Sequence, residues 1–384
     1  MTEPPGEPLS LPPAAPPRRG VTGGSLGALA SWSTVLGFFA VLVVVLLGRT
    51  LRAPPVTLLV AVTFLPYELV VFGLYTAVVW ARVPDRRGPA LSLTAQVLLA
   101  LVLWGPTHGR DSDAVGAPLR VMSWNVQRLW GVDGLHHNAT GCVAEAVRAA
   151  QPDVVTLLEI SGQELEPLEA QLGLRCVHTP YRGGENDRQG GLAACVRGDR
   201  WQLRSGSALR FVDDEDWFYV FTEVEREGVV INVLSVHLYP YEVGTRRMRE
   251  RVRRFTTGDA EAITGLAGAG ADVMQAQSDQ SRALLERVER LEDPTVVAGD
   301  FNSVRDLSLH VALRERLADV WERAGEGSGA TVWFLDALPL RVDYIYASAR
   351  LQPSAAVVPA VDCSDHRPVV SDLRVVPLPI SAIE

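Results

Sequence analysis

The spacing of apolar residues divides the chain into two parts. Up to about residue 105 they run in long blocks with few charges, whereas from residue 118 they come in short runs separated by polar turns. Long blocks are typical of membrane helices and short runs of strands. The pattern predicts a membrane part at 26–105, a linker at 106–117, a folded domain at 118–377 and a tail at 378–384. Residues 1–25, rich in Pro and Gly, are predicted to be disordered.

The membrane part contains three candidate spans, at 26–48, 56–81 and 89–105. The first has no charged residue, and its 23 residues cover about 35 Å at about 1.5 Å each, enough for a hydrocarbon core of about 30 Å. It is too long for the apolar core of a signal peptide, which has about 7–15 residues. The third block is the shortest, and a buried helix of a soluble protein is its alternative. The mean hydropathy of +0.12 agrees with a membrane part.

Glu68 lies near the middle of the second candidate span, two residues after Pro66. A carboxylate in the middle of a bilayer is costly unless it is protonated or paired. A protonated side chain bonded to a neighbouring helix is the favoured interpretation. A functional polar contact within the helix bundle is the alternative.

The arginines predict the orientation, because all 36 basic residues of the chain are arginine. With the N-terminus in the cytoplasm, five of them flank the spans on the inside and three on the outside, and the inner side carries the excess in membrane proteins. The folded domain is therefore predicted to lie outside the cytoplasm. The inner residues are Arg18, Arg19, Arg82, Arg86 and Arg87, and the outer ones are Arg49, Arg52 and Arg110.

The folded domain is predicted to alternate strands with helices. The predicted strands are 119–124, 154–158, 191–196, 217–224, 229–236, 295–299, 343–347 and 368–374, and the predicted helices are 140–150 and 281–291. Residues 244–280 are expected to form a long polar, Ala- and Gly-rich excursion between two strands.

The net charge of −9 comes from the folded domain, where 28 arginines stand against 39 acidic residues from residue 118 onward. An acidic surface repels a polyanion, which argues against nucleic acid as a partner without excluding it. One dense basic run, Arg246–Arg254, opens the 244–280 excursion. A solvated helix face is its default interpretation, and contact with anionic lipid or substrate phosphate is the alternative.

The four cysteines are Cys142, Cys176, Cys195 and Cys363, and they lack the spacing of a zinc site. They are either buried thiols or partners in one or two disulfides, and the sequence does not choose between these.

The stretch Thr295–Ser303 predicts a short apolar strand that ends at Gly299 and then presents Asp300 and Asn302. Alternation with period two places these two side chains on the same side. A carboxylate beside a carboxamide suits the holding of a water molecule against a phosphoryl group. An Asx turn that closes the strand is the alternative.

Five other stretches share this form, an apolar strand next to a polar side chain. Taken singly, each side chain has an ordinary structural explanation, such as a turn residue or a core histidine. Together they supply oxygen ligands for a hard cation, a His–Asp pair, a second histidine and a water-positioning pair, which is the inventory for metal-assisted phosphoester hydrolysis. These side chains are Asn125, Glu159, His237, Asp343, Asp365 and His366.

These stretches, in this order, resemble the endonuclease/exonuclease/phosphatase superfamily, the fold of DNase I-like enzymes. The similar motifs are Ser-Trp-Asn, Leu-Leu-Glu, Val-His-Leu, Gly-Asp-Phe-Asn, Arg-Val-Asp-Tyr and Ser-Asp-His-Arg-Pro. The resemblance covers roughly residues 118–377. It implies an α+β fold, a four-layer αββα sandwich, which in this chain follows three transmembrane helices.

The resemblance also implies roles for these residues. It implies Mg²⁺ or Mn²⁺ held by Glu159, with Asn125 and Asp365 completing the site directly or through water. His366, oriented by Asp343, is implied to be the general base or the group that polarises the phosphate, and members of the superfamily divide these roles differently between this histidine and the aspartate at 300. His237 is implied to contact the phosphate, as a general acid in some members, and Asn302 to hold the phosphate or the metal-bound water.

The sequence therefore predicts a membrane-anchored, extracytoplasmic, metal-dependent phosphoesterase acting on a lipid or small molecule. The short linker keeps the domain near the bilayer, so membrane lipids are expected partners. However, Asn125 lies at the far end of the first strand, about 20 Å from the linker, so the cleft faces the bilayer only if the domain lies on its side. A surface nuclease and a non-catalytic membrane scaffold are the alternatives.

Overall fold

A computed structural model of the chain describes residues 22–104, 116–131, 139–181, 190–213, 217–240, 261–292, 294–334 and 337–376. Most of the predicted tails and of the linker, and the Arg246–Arg254 run, lie outside the described residues. The chain divides into two compact units. One consists of residues 1–41 and 69–99, and the other of residues 42–68 and 100–384.

Among the described residues, four helices precede the folded domain: α1 (Thr22–Thr50), α2 (Val56–Thr63), α3 (Leu65–Arg82) and α4 (Arg87–Trp104). Within the described residues, α1 and α4 are long and apolar enough to cross a membrane by themselves. The helices α2 and α3 pass the same test only as a pair, bent by 77° at a short break. The number of candidate spans is therefore two, or three if the bent pair counts as one.

The second candidate span, expected as one helix at 56–81, is interrupted at Phe64. Pro66 explains the break, because its ring and missing N–H are tolerated in the first turn of a helix but not in its interior. Glu68 consequently lies in the first turn of α3, just after the bend, where it is exposed.

Polar side chains join the helices of the first unit. The Ser92 hydroxyl donates to the Thr34 carbonyl at 2.8 Å, and the Gln96 amide donates to the Thr76 and Ser92 hydroxyls, both at 3.0 Å. All four side chains are buried. Such hydrogen bonds across helices are typical of membrane bundles and connect α4, the shortest candidate span, to its neighbours.

Helix α2 belongs to the second unit and packs on the folded domain. Its inner residues form one buried cluster with side chains of that domain: Leu58, Leu59, Val62, Met274 and Leu307, with Val44 and Val304 packed against them. Beyond α2, the ring of Phe64 lies 4.8 Å from that of Phe334, and the Tyr67 hydroxyl donates to the Pro339 carbonyl at 2.7 Å.

The folded domain contains two six-stranded sheets. The first has the order β13-β14-β1-β2-β4-β3, and the second has the order β5-β6-β7-β8-β12-β9. The strands of the first sheet are β1 (Ala117–Asn125), β2 (Val154–Leu158), β3 (Leu174–Pro180), β4 (Gly191–Arg197), β13 (Leu351–Val357) and β14 (Val369–Val375). Those of the second are β5 (Gln202–Arg210), β6 (Phe218–Arg226), β7 (Val229–His237), β8 (Thr295–Asp300), β9 (Ala318–Asp319) and β12 (Asp343–Ala347). A hairpin, β10 (Val332–Phe334) and β11 (Leu338–Leu340), stands apart from both sheets.

Helices cover the outer face of each sheet. A central cluster joins the two inner faces, with residues such as Val121 and Ile345 fully buried. The helices α5 (Thr140–Ala150) and α6 (Gly162–Leu172) pack on the first sheet, and α7 (Glu261–Arg290) and α8 (Ser308–Arg314) on the second. A short helix, α9 (Val320–Ala324), follows β9. The result is a four-layer αββα sandwich, as the resemblance implied.

All eight predicted strands and both predicted helices are present. Six strands, β3, β5, β9, β10, β11 and β13, and the helices α6, α8 and α9 were not predicted. Part of the expected excursion is also helical, since α7 begins at Glu261. The cysteines form two disulfides, Cys142–Cys363 and Cys176–Cys195.

Candidate active site

Two parallel strand pairs bring the candidate side chains to one edge of the sandwich. β1 pairs with β2 and β7 with β8, so the carboxyl ends of each pair lie side by side. In the second pair His237 is the register partner of Asp300. Gly299 permits this approach, because a Cβ at that position would lie 1.8 Å from the Val236 carbonyl oxygen. β12 adds Asp343 opposite Asp300 in antiparallel register.

Asp300 lies at the centre of this edge and is 1% exposed. Its Oδ2 accepts a hydrogen bond from Asn125 Nδ2 at 3.1 Å and lies 3.5 Å from His237 Nε2 and 3.8 Å from His366 Nε2. Burial and the charge of Asp343 raise the pKa of Asp300 to about 6. A carboxyl group with this pKa is poised to take a proton near neutral pH.

Asn302 does not follow the expected alternation. The strand ends at Asp300, and Asn302 has a φ of 48°, in the left-handed region. Its backbone N–H donates to Asp300 Oδ1 at 2.8 Å, and its side-chain amide donates to the Leu238 carbonyl at 2.9 Å. The Asx turn that was the alternative interpretation is therefore present, and it also fixes one oxygen of Asp300 while Oδ2 faces the two histidines.

His366 and Asp343 form the expected pair, with His366 Nδ1 at 2.8 Å from Asp343 Oδ2. Burial opposes protonation of this histidine, but the charges of Asp343 and Asp300 outweigh it and raise the pKa of His366 well above its usual range. His366 is thus an imidazolium at neutral pH, held between two carboxylates. This state suits stabilising negative charge on a phosphate better than accepting a proton.

The loop that carries His366 is fixed to the first sheet. The Ser364 hydroxyl donates to the Asn125 carbonyl at 2.8 Å, and the Trp124 indole donates to the His366 carbonyl at 2.9 Å. The Cys142–Cys363 disulfide adds a covalent link from α5 to the same loop. The position of the imidazole is therefore set by groups far away in sequence.

The residues expected to hold a metal ion lie beside Asp300. Glu159 ends the segment after β2 with a φ of 53°, and its Oε1 accepts a hydrogen bond from Asn125 Nδ2 at 2.9 Å. Burial, followed by the negative charge of Asp365, raises the pKa of Glu159. Asp365 is exposed and accepts a hydrogen bond from Gln127 Nε2 at 2.9 Å. Two mutually repelling carboxylates with an amide oxygen nearby are a donor set that suits a hard divalent cation.

A different group meets most closely in space. Ligand atoms of Asp300, Asp343 and His366 all lie within 4.8 Å of one another, the one such group within the described residues. In this group His366 Nδ1 already bonds to Asp343, and a histidine held as an imidazolium does not ligate a metal. The set around Glu159 is therefore the better candidate for the cation, and the triad the better candidate for proton handling.

All eight predicted side chains thus lie at one edge, and the further residues that contact them include Gln127 and Tyr181. Gln127 follows β1 and bonds to Asp365, and Tyr181 follows β3 and bonds to His237. Tyr181 directly follows a strand, as Glu159 does, but that strand, β3, was not predicted because its residues are not a run of apolar side chains.

A groove of about 860 Å³ lies at the opposite end of the strands. Some of its charged residues pair with one another, as Arg120 with Asp372 at 2.6 Å and Arg200 with Asp153 at 3.4 Å. It contains none of the eight predicted residues, and we assign the chemistry to the edge around Asp300.

Comparisons with known proteins agree with this geometry. The sequence model of the endonuclease/exonuclease/phosphatase family matches residues 122–366. No curated protein matches the chain in sequence. A solved endonuclease/exonuclease/phosphatase from Beutenbergia cavernae is 18% identical over 68% of this chain and 73% of its own, with a TM-score of 0.51. One from Bacteroides vulgatus is 14% identical over 67% of this chain and 99% of its own, also with a TM-score of 0.51. At these identities the two structures show a shared fold.

Proposed function

Since the chain belongs to the endonuclease/exonuclease/phosphatase family, we propose that it is a membrane-anchored, extracytoplasmic, divalent-metal-dependent phosphoesterase that hydrolyses a phosphate ester or pyrophosphate on a lipid. The observation that carries this proposal is the position of the Asp300 carboxylate. It lies between the imidazoles of His237 and His366 and accepts a hydrogen bond from Asn125, which also donates to Glu159. A proton acceptor, a cationic group and a cation site within one edge are what hydrolysis of an anionic ester requires.

In this proposal the role of each side chain follows from its protonation state. Asp300 orients the attacking water and takes its proton, because its pKa of about 6 leaves it ionised at neutral pH. His366, kept as an imidazolium by Asp343, faces the negative charge that develops on the phosphate. Asn302 keeps Asp300 oriented through its backbone N–H.

Glu159, Asn125 and Asp365 would hold the divalent cation, Mg²⁺ or Mn²⁺. The cation supplies positive charge that offsets the charge of the phosphate. The raised pKa of Glu159, caused by burial and by Asp365, supports this assignment, because a neighbouring cation would relieve the repulsion between the two carboxylates.

Contacts of α2 and the residues after it with the folded domain support a lipid as the substrate. The contacted part of the domain, here called the rim, consists of Val304, Leu307 and the β10–β11 hairpin. Val304 and Leu307 follow Asn302 closely and pack with the α2 cluster. The β10–β11 hairpin, which contains Phe334 and Pro339, contacts Phe64 and Tyr67. Residues of the first half of the bent candidate span therefore contact the folded domain a few residues from Asn302, which favours a substrate that lies in a membrane.

Two observations support an extracytoplasmic domain. The two disulfides are of the kind that persists in oxidising compartments and is rare in the cytosol. The excess of arginines on the inner side of the candidate spans gives the same orientation.

The test is a substrate panel with the full-length protein in vesicles and Mg²⁺. The panel contains a lipid phosphate ester, a lipid pyrophosphate, a soluble chromogenic phosphodiester and DNA, each with the Asp300→Asn variant as the matched blank. We expect turnover that depends on Asp300 and is fastest on a lipid. Faster turnover of DNA would make the protein a surface nuclease, and no turnover of any phosphoester would leave the scaffold alternative.

A further inference from the structure

Tyr181 is a buried residue at the active-site edge for which neither the motifs nor the proposed mechanism provides a role. It follows β3 and is 5% exposed. Its hydroxyl accepts a hydrogen bond from the Glu159 backbone N–H at 2.6 Å and lies 2.5 Å from His237 Nδ1. Among the described residues the hydroxyl has no other hydrogen-bond partner.

The direction of the second hydrogen bond follows from counting protons. A backbone N–H can only donate, so the Glu159 N–H occupies a lone pair of the hydroxyl. The hydroxyl has one proton of its own, and His237 Nδ1 is its one remaining partner among the described residues. If Nδ1 carried a proton, the hydroxyl would accept both bonds and its own buried proton would have no acceptor among the described residues. Nδ1 therefore accepts, and the neutral ring carries its proton on Nε2.

The aromatic groups around Tyr181 hold it in this position. Its ring stacks on Trp217, with centroids 5.1 Å apart and planes 7° apart. The Trp217 indole in turn donates to the His237 carbonyl at 2.6 Å. The same two side chains thus fix both the backbone and the ring of His237, and Nε2 is left facing Asp300 at 3.5 Å.

We propose that Tyr181 is a positioning residue that holds His237 in the tautomer with the proton on Nε2, so that His237 meets the substrate phosphate as a neutral hydrogen-bond donor. This inference rests on the proposed phosphoesterase function. In this proposal the two histidines differ in their partners. His366 is oriented by the Asp343 carboxylate, which accepts a hydrogen bond, and His237 is oriented by the Tyr181 hydroxyl, which donates one. It also opposes a general-acid role for His237, because a neutral imidazole does not readily release its proton.

The direct test is the nitrogen-15 spectrum of the histidine rings in the full-length protein, with the His237 signals assigned by their loss in His237→Ala. We expect an unprotonated Nδ1 and a protonated Nε2 in the wild type, and a mixture of tautomers in Tyr181→Phe, which keeps the stacked ring. A proton on Nδ1 in the wild type would overturn the proposal. This measurement needs no substrate, so its failure is distinct from a failure of the proposed function.

A double-mutant cycle on the soluble phosphodiester tests the consequence for catalysis. Tyr181→Phe should lower kcat/KM about tenfold, the scale of the hydrogen bond from His237 to the charged phosphate. It should have no further effect in a His237→Ala background. Tyr219→Phe is the control, because it removes the hydroxyl of another buried tyrosine, from the cluster under α7.

The hydrogen bond from Glu159 gives Tyr181 a competing role through the metal site. That role predicts that Tyr181→Phe raises the Mg²⁺ concentration needed for half-maximal activity. It also predicts that Tyr181→Phe lowers kcat/KM as much in the His237→Ala background as in the wild type. Those two results together would overturn the proposal, whereas an unchanged Mg²⁺ requirement with loss of the effect would support it.

Discussion

Asn125 donates a hydrogen bond from Nδ2 to Oδ2 of Asp300 at 3.1 Å, which joins the ends of the two sheets across the interior of the sandwich. The same amide nitrogen donates to Glu159 at 2.9 Å. The residues proposed to hold the cation and those proposed to handle the proton therefore share one amide group. Because the two residues are 175 positions apart in sequence, the site exists only when both sheets have packed together.

Replacing Asp300 tests the proposed base. Asp300→Asn should lower kcat at least about 10²-fold, the scale of one acid–base group. The unfolding temperature should not fall, because burial disfavours the charge that the substitution removes. Asp372→Asn is a matched control, since it makes the same change at the opposite end of the sheets. Turnover near that of the wild type in Asp300→Asn means that the base lies elsewhere.

The dependence on pH follows from the same residue. Asp300 must be ionised to accept a proton, so kcat/KM should fall about tenfold per pH unit below its pKa of about 6. His366 must stay protonated, and because its pKa is raised well above the usual range, no descending limb should occur near neutral pH. A profile that stays flat from about pH 5 to pH 7 contradicts the assignment of Asp300.

The eight predicted site residues were recognisable because each belongs to a short apolar strand or lies within four residues of one. The missed strands lack that signal. β5 (Gln202–Arg210) is exposed along most of its length, and β13 carries Pro353 and a run of small residues. Tyr181 was missed with the strand before it. The contact of Asp300 with Asn125 depends on tertiary packing, which no local pattern contains.

Metal removal tests the role of Glu159. EDTA should abolish turnover, and Mg²⁺ or Mn²⁺ should restore it. Glu159→Gln keeps the size of the side chain but removes the charge, so a higher metal concentration should be needed for half-maximal activity. Glu164→Gln is the control, because Glu164 pairs with Arg128 at 3.3 Å and caps α6. Full activity after exhaustive chelation would rule out the metal site.

The location of the folded domain is testable with fusions after Glu384. The arginine distribution and the two disulfides support a domain outside the cytoplasm. A reporter that is active only after export should therefore give a signal, and one that is active only in the cytoplasm should not. The reverse result would move the domain inside and direct the search for a substrate to intracellular lipids and nucleotides.

The contact between Tyr67 and the β10–β11 hairpin tests whether the cleft takes its substrate from the bilayer. The Tyr67 hydrogen bond and the Phe64–Phe334 ring contact are each worth about 1 kcal/mol. Combining Tyr67→Phe with Phe334→Ala should lower turnover of a lipid phosphoester in vesicles severalfold, because the rim is then no longer held against the candidate span. Turnover of the soluble phosphodiester should not change, since neither the Tyr67 hydrogen bond nor the Phe64–Phe334 ring contact involves the residues around Asp300. Tyr75→Phe is the matched control on the same helix, because its hydroxyl bonds to Ser33 within the first unit. Equal loss on both substrates would mean that the hairpin supports the site itself, and no loss on either would remove the argument for a lipid substrate.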